Sequence, residues 1–451
     1  MHPSKRFLFV WWEGGGNMPP ALHLVRQLVT RGHQVRVLGE PVSEAAFRDH
    51  GADFVSFRRA PHRTHLRMET DWLRDWEAGN PKQAVAILRD RLLFGPAVDY
   101  AQDTLDQIHA YAPDALAIMD LTMGAMLAAE RAAVPTAVIA PHIFMYPVLG
   151  RPPAGPGFLP ARHALDRLRD SFVKTLSLRE WAKGIPQFNA ARAKLGLAPL
   201  KRPFEQIERM DRVLVLTSPA LELPGGPLPE NVRYCGPILV DPCWAECWKG
   251  PWPPNEERPL VLVSLSTTFQ NQQNVLQRAI TALGTLPVRA LVTIGPACQV
   301  SDFVAPSNVV VCPSAPHSQI LPFADLMITH CGHGSVVRAL AHGVPLLCLP
   351  MGRDQNDTAA RVVYHGAGLR LKTTAPIPEF KTAIQRVLAN RAYAAAAERL
   401  GRAIRADAAN CTAVQELEAL AAREPADALQ WTASKSPAAP CPPPTHIVTT
   451  P

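Results

Sequence analysis

The segment Met327–Pro350, reading M-I-T-H-C-G-H-G-S-V-V-R-A-L-A-H-G-V-P-L-L-C-L-P, constrains the fold more than any other stretch of the chain. Its order is apolar strand, tight glycine-bearing turn, helix, then a second apolar strand, which is the repeat unit of a parallel α/β layer. His330 falls at the end of the first strand, and Gly332, Gly334 and Ser335 fall where the helix opens. A helix N-terminus carries unpaired N–H groups and partial positive charge, so it receives anions. His330 and Ser335 add side-chain donors at the same place. The arrangement implies a cradle for a diphosphate. Gly343 can take positive φ and stops the helix, and Leu346–Leu349 follows as a buried strand.

The next loop, Gly352-Arg353-Asp354-Gln355-Asn356-Asp357, sits at that strand's carboxyl end, where α/β sheets bind ligands. Asp354 and Gln355 suit sugar hydroxyls. The plainer alternative is a polar loop with a helix cap. Two polar strand ends in succession favour a nucleotide-sugar site.

At 451 residues and 47% hydrophobic, the chain has material for two full cores. Its net charge of +7 comes from 46 basic and 39 acidic residues that are scattered rather than run together. That argues against nucleic acid and suits anionic small molecules. The nine cysteines are an odd count confined to Cys235–Cys441, which is no disulfide framework. Cys243 and Cys247 form a C-x3-C pair with no second pair nearby, so no metal is expected. No apolar stretch is long enough to span a bilayer. Arg6–Trp12 is too short for a signal-peptide core and reads as a first strand. A soluble cytoplasmic protein, monomer or homodimer, is the expectation.

The first half reads as a βαβ series. Phe7–Trp12 is a buried strand, Glu13–Asn17 a loop, Pro19-Pro20 a helix start, and Val35–Leu38 a second strand, with Ala52–Phe57 as a third. Residues 62–91 differ, being rich in Arg, Trp and His. Trp72 and Trp76 there stand at i, i+4, which predicts one helix carrying both. It is either a flap over an apolar acceptor or an ordinary amphipathic helix. Pro113–Met119 leads to Asp120, and Val134–Ala140 to His142. Residues 241–258 hold four prolines and three tryptophans and read as a linker. A second βαβ series opens at Leu260–Leu265, followed by Ser266-Thr267-Thr268. Ala394–Leu420 reads as a single Ala-rich helix, and residues after 423 as a disordered tail. The expected domains are 1–240, binding an acceptor, and 259–423, binding a nucleotide sugar.

These residues resemble the GT-B fold glycosyltransferases of family 1, which include bacterial natural-product glycosyltransferases and plant UDP-glycosyltransferases. The resemblance covers roughly residues 6–420. Its specific part is His330-Cys331-Gly332-His333-Gly334-Ser335, then Ala341-His342-Gly343-Val344-Pro345, then Asp354-Gln355. The resemblance implies an α/β architecture of two doubly wound, Rossmann-like domains facing a cleft. It implies that His330 and Ser335 contact the donor diphosphate, that Asp354 and Gln355 hold the sugar, that Thr267 lies near the phosphates, and that Pro316–Leu321, with His317, meets the base.

Two positions depart from the family pattern. Arg338 stands where members usually carry a ribose-binding Glu, and Arg offers only donors. Gly16-Asn17-Met18-Pro19-Pro20 stands where members carry Gly-His-x-x-Pro, whose His is the general base. An amide takes up no proton near neutral pH, so Asp120, directly or through a water bridged by Asn17, is the expected base. Glu13 and His142 are lesser candidates, and the alternative for Asp120 is a helix cap. Trp72, Trp76 and His142 are the expected acceptor contacts. The resulting expectation is an inverting transfer from a UDP- or dTDP-sugar to a small apolar acceptor, without metal and with an O-glycoside favoured. The rivals are a C-glycosyltransferase, a non-catalytic nucleotide-sugar-binding protein, and a GT-B epimerase or hydrolase.

Overall fold

The computed structural model describes residues 3–241, 250–253 and 256–423. The Cys243–Cys247 pair, most of the proline-rich linker and the tail after 423 lie outside them. The first half forms β1 (Arg6–Trp11), β2 (Gln34–Gly39), β3 (Asp53–Ser56), β4 (Ala115–Met119), β5 (Thr136–Ala140), β6 (Arg212–Val215) and β7 (Val232–Tyr234). They pair in parallel in the order β3-β2-β1-β4-β5-β6-β7. The second half adds β8 (Leu260–Ser264), β9 (Arg289–Thr293), β10 (Val309–Cys312), β11 (Leu326–Thr329), β12 (Leu346–Cys348) and β13 (Gly368–Arg370). Their order is β10-β9-β8-β11-β12-β13, again parallel. Helices cover both faces of each sheet, so strands such as β4 and β8 are buried at every residue.

Both sheets reverse their winding at a central strand, between β1 and β4 and between β8 and β11. The crevice outside such a switch point is where doubly wound sheets bind ligands. The loops after β1, β4, β8 and β11 therefore face one cleft. Polar ties cross it. His333 Nε2 lies 2.8 Å from Thr217 Oγ1. Glu222 accepts from Arg361 at 2.6 and 3.0 Å and pairs with Arg151 at 3.2 Å. Asp357 accepts from the Gly155 and Gly157 amides at 2.6 and 3.0 Å. At Gly157, with φ +67, a Cβ would lie 2.3 Å from the Asn356 carbonyl oxygen, so only glycine fits.

Two helical expectations are corrected. The Ala-rich stretch is two helices, Arg391–Ala409 and Ala413–Ala421. The break lets the Thr412 amide donate to the Cys235 carbonyl at 3.0 Å. The last helix thereby leaves the second half. It buries Ala413, Val414, Leu417 and Leu420 in the core of the first half, where Arg31 and His33 hold its Glu418.

Trp72 and Trp76 share no helix either. Asp71 Oδ1 accepts from the Leu73 and Arg74 amides, and Arg74 takes φ 50. The chain turns there, and only a three-residue turn, Asp75–Glu77, holds Trp76. No helix of the described residues is long and apolar enough to cross a membrane.

Candidate functional site

A cavity of about 1550 Å³ fills the cleft. Its first-half wall is largely apolar, with Trp76, Leu88, Phe144, Tyr146, Trp181 and Phe204 among its residues. Its second-half wall carries Thr267, His317, His330, Gly332, Gly334, Ser335, Asp354 and Gln355. Every expected donor-side residue thus converges on one surface.

On the first-half side, Asp120 ends β4 and is fully buried. Its Oδ2 lies 3.2 Å from His142 Nε2 and accepts from the Tyr146 hydroxyl at 3.0 Å. Asp120 Oδ1 is buried with no hydrogen-bond partner. His142 Nδ1 lies 2.8 Å from the Ile143 carbonyl. Both ring nitrogens therefore face acceptors, which fits an imidazolium. Burial alone would lower the His142 pKa, but the adjacent Asp120 carboxylate overrides it, and the value rises to about 9.

Asp120 therefore has a histidine partner. The partner arrives from the loop after β5 rather than from the loop after β1. Asn17 makes no direct hydrogen bond to Asp120. Its Oδ1 accepts from the Gly14 amide at 2.9 Å, and its Nδ2 reaches the Trp12 carbonyl at 2.8 Å and Met119 Sδ at 3.1 Å. The amide is spent on folding the glycine loop. Glu13, another expected candidate, is off the cavity wall. Burial pushes its pKa up to about 7, against the pull of Arg63. Trp72 is also off the wall. It packs edge-on against Trp12 at 6.5 Å.

On the second-half side, helix His333–Ala341 begins as the sequence implies, with Gly332 at the N-cap and Ser335 in the first turn. His330 and His317 are 9% and 8% exposed, and each has a buried, unpartnered Nδ1. Burial and the Arg353 charge lower His330 to about 4, while burial and Arg338 lower His317 to about 3. Both are neutral donors or acceptors near pH 7, so the charge in this corner comes from elsewhere.

Gln355 is 3% exposed, and its side chain is engaged within the loop. Its Oε1 accepts from the Met351 and Gly352 amides, and its Nε2 donates to Gln270 at 2.9 Å. It shapes the loop rather than offering a free amide. Asp354 takes no such part, and its charge reaches His142 across the cleft. Arg338 is tied down, with Nε on the Gly334 carbonyl and Nη1 on the Val240 carbonyl, both at 3.0 Å.

Among the cavity residues not assigned from sequence are Tyr146, Arg353 and Asp75. The signal for Arg353 was its place directly before Asp354. Tyr146 and Asp75 carried none, because only tertiary contacts bring them to the site.

Comparison with known proteins supports the same kinship. The family model described as "Erythromycin biosynthesis protein CIII-like, C-terminal domain" matches residues 278–420. The chain is 30% identical over 381 residues to 4'-demethylrebeccamycin synthase of Lentzea aerocolonigenes, covering 82% of this chain and 88% of that protein. It is 31% identical over 144 residues to demethyllactenocin mycarosyltransferase of Streptomyces fradiae, 30% of this chain and 31% of that one. Among solved structures, the calicheamicin glycosyltransferase CalG4 superposes with a TM-score of 0.72 at 21% identity, over 94% of this chain and all of that one. VinC in complex with dTDP superposes with a TM-score of 0.62 at 19% identity, over 93% of this chain and 100% of that one. This chain is therefore a glycosyltransferase of the GT-B fold, and it belongs to family 1, the nucleotide-sugar-dependent enzymes that include the natural-product glycosyltransferases.

Proposed function

We propose that the protein moves a sugar from a dTDP- or UDP-sugar to a hydroxyl of a small, largely apolar aglycone, with inversion at the anomeric carbon. The aglycone lies against Trp76, Phe144, Trp181 and Phe204, and the donor lies along the surface from Thr267 to Ser335. The observation that carries this reading is Asp120. It stands on the cavity wall with Oδ1 unpartnered, while both His142 nitrogens are engaged. A proton acceptor needs a free lone pair within reach of the substrate. In this pair Asp120 Oδ1 has a free lone pair and His142 does not; Oδ1 is buried, so the acceptor reaches it only once the wall around it gives way.

The usual roles are then exchanged. Asp120 takes the acceptor proton as its oxygen attacks the sugar, and His142 with Tyr146 holds the carboxylate in place. The breaking bond leaves its electrons on the diphosphate, which the helix N-terminus and the neutral donors of His330 and Ser335 stabilise. Two solved neighbours carry dTDP or thymidine diphosphate, which puts dTDP-sugars first among donors.

The test is a donor panel against an aglycone library with mass detection. The anomeric configuration is then read by NMR, and the linkage is challenged with acid. An α-donor should give an acid-labile β-product. An acid-stable linkage would refute O-transfer, and a retained anomer would refute inversion.

A further inference from the structure

Five arginines line the cavity: Arg151, Arg278, Arg338, Arg353 and Arg361. Arg151 and Arg361 share Glu222. Arg338 is committed to two carbonyls and pairs with Asp241 at 3.9 Å. Arg278 donates to the Thr373 carbonyl. Arg353 is placed otherwise. Its Nη1 donates to Thr268 Oγ1 at 3.1 Å, beside Thr267 and close enough to His330 for its charge to be felt there. Its Nε and Nη2 grip the Asp75 carboxylate at 2.6 and 3.1 Å. Asp75 belongs to the opposite half, on the short turn whose Trp76 packs edge-on against Phe269 at 5.1 Å. Arg353 also holds φ 54, a conformation that L-residues avoid.

We propose that Arg353 is the cation that meets the donor diphosphate, and that the Asp75 carboxylate is the anion the diphosphate displaces. This rests on the donor-site reading given above. A guanidinium fork accepts a carboxylate and a phosphate in the same two-point geometry. Asp75 thus holds the fork open in the shape a phosphate needs. The imidazoles in this corner carry no charge near pH 7, so a leaving group that gathers negative charge has Arg353 as its counter-charge. Asp75 and Trp76 sit side by side. Exchange of Asp75 for phosphate therefore loosens the turn that carries one apolar wall of the acceptor site, and donor binding precedes acceptor binding.

Titration calorimetry of the full chain with dTDP and UDP, and with thymidine and uridine, tests this. Arg353→Gln should weaken diphosphate binding about tenfold or more, through loss of a charge-assisted pair, and leave nucleoside binding unchanged. Arg353→Lys should recover part of the loss. Asp75→Asn should strengthen diphosphate binding several-fold, because the competing charge is gone. Diphosphate binding by Arg353→Gln within about twofold of the parent, or an equal loss for nucleosides, overturns the role of Arg353. Unchanged or weaker diphosphate binding by Asp75→Asn overturns displacement. Failure of the parent protein to bind either diphosphate, or undiminished binding after His330→Ala with Ser335→Ala, rejects the donor-site reading itself.

Discussion

His142 Nε2 lies 3.2 Å from Asp120 Oδ2, joining the loop after β5 to the end of β4. The contact brings a histidine–aspartate pair to the cleft even though Asn17 occupies the position where related enzymes carry their histidine. A pair of groups can be rebuilt from a different strand end because all parallel strands deliver their carboxyl ends to the same side. With both imidazole nitrogens engaged, the histidine is the proposed holder and the carboxylate the proposed proton acceptor.

Exchange of roles sets the order of mutant effects. Asp120→Asn keeps the shape and removes the base, so kcat should fall by about 10²–10⁴ while dTDP binding is unchanged. His142→Gln retains a donor toward Asp120 and should cost less, about tenfold. Steady-state kinetics with a calorimetric binding control decides it. Full activity in Asp120→Asn with none in His142→Ala would show that the histidine is the base after all.

Activity should also fall at high pH. The folded pKa of His142 is raised to about 9, above the free-histidine value near 6.5. The pair's contribution is therefore complete below about pH 6.5 and is lost as pH rises through about 9. A log kcat/KM profile should show a descending limb near pH 9 that His142→Gln removes. Thermal melts should show the parent losing more stability than this variant between about pH 6.5 and 9.5. A limb that survives the substitution belongs to another group.

The two tryptophans separate by location. Trp76 lines the cavity, so Trp76→Ala should raise the acceptor KM with little change in melting temperature. Trp72 is off the wall and packs behind Trp12, which is on it, so Trp72→Ala should cost about 2 kcal/mol or more of stability while acceptor KM in the folded fraction changes less than in Trp76→Ala. Denaturant melts paired with kinetics distinguish the two. Matching KM changes would place both on the acceptor.

Glu222 holds the buried Arg361 across the cleft and the half-buried Arg151 within its own half, with side-chain exposures of 5% for Glu222 and Arg361 and 12% for Arg151. Its loss leaves two cations without a counter-charge, and Glu222→Ala should cost about 3–5 kcal/mol. A guanidinium chloride unfolding curve gives the number. A cost under about 1 kcal/mol would mean that water enters the cleft and screens the pair.

Much of the architecture was legible because it depends on local pattern. Continuous apolar runs such as Phe7–Trp11 and Leu260–Ser264 read as buried strands from their length and β-branched or aromatic content, and Gly343 marks a helix end with its positive φ. The helix beginning at Gly332 and the hydroxyls after β8 are likewise properties of a few consecutive residues. Misreadings arose where one signal stood for two outcomes. The i, i+4 spacing of Trp72 and Trp76 is shared by a helix and by a loop whose Asp71 side chain forms a turn. Residues 394–420 are mostly strong helix formers, and the break falls at Asn410–Thr412, where the Thr412 amide donates to the Cys235 carbonyl of the other half.

The sequence by itself determined two series of parallel strands and helices and the strand-to-helix junction at His330–Ser335, since each is encoded within a few consecutive residues, whereas the strand order and its switch points are tertiary. Only the tertiary structure decided which side chains are free. Asn17 and Gln355 are polar and well placed, yet their hydrogen-bonding capacity is consumed by nearby amides. Asp120 keeps an oxygen to spare because His142, twenty-two positions away by number, occupies only the other one. Satisfaction of a polar group depends on every neighbour in space, and no pattern along the chain contains that information.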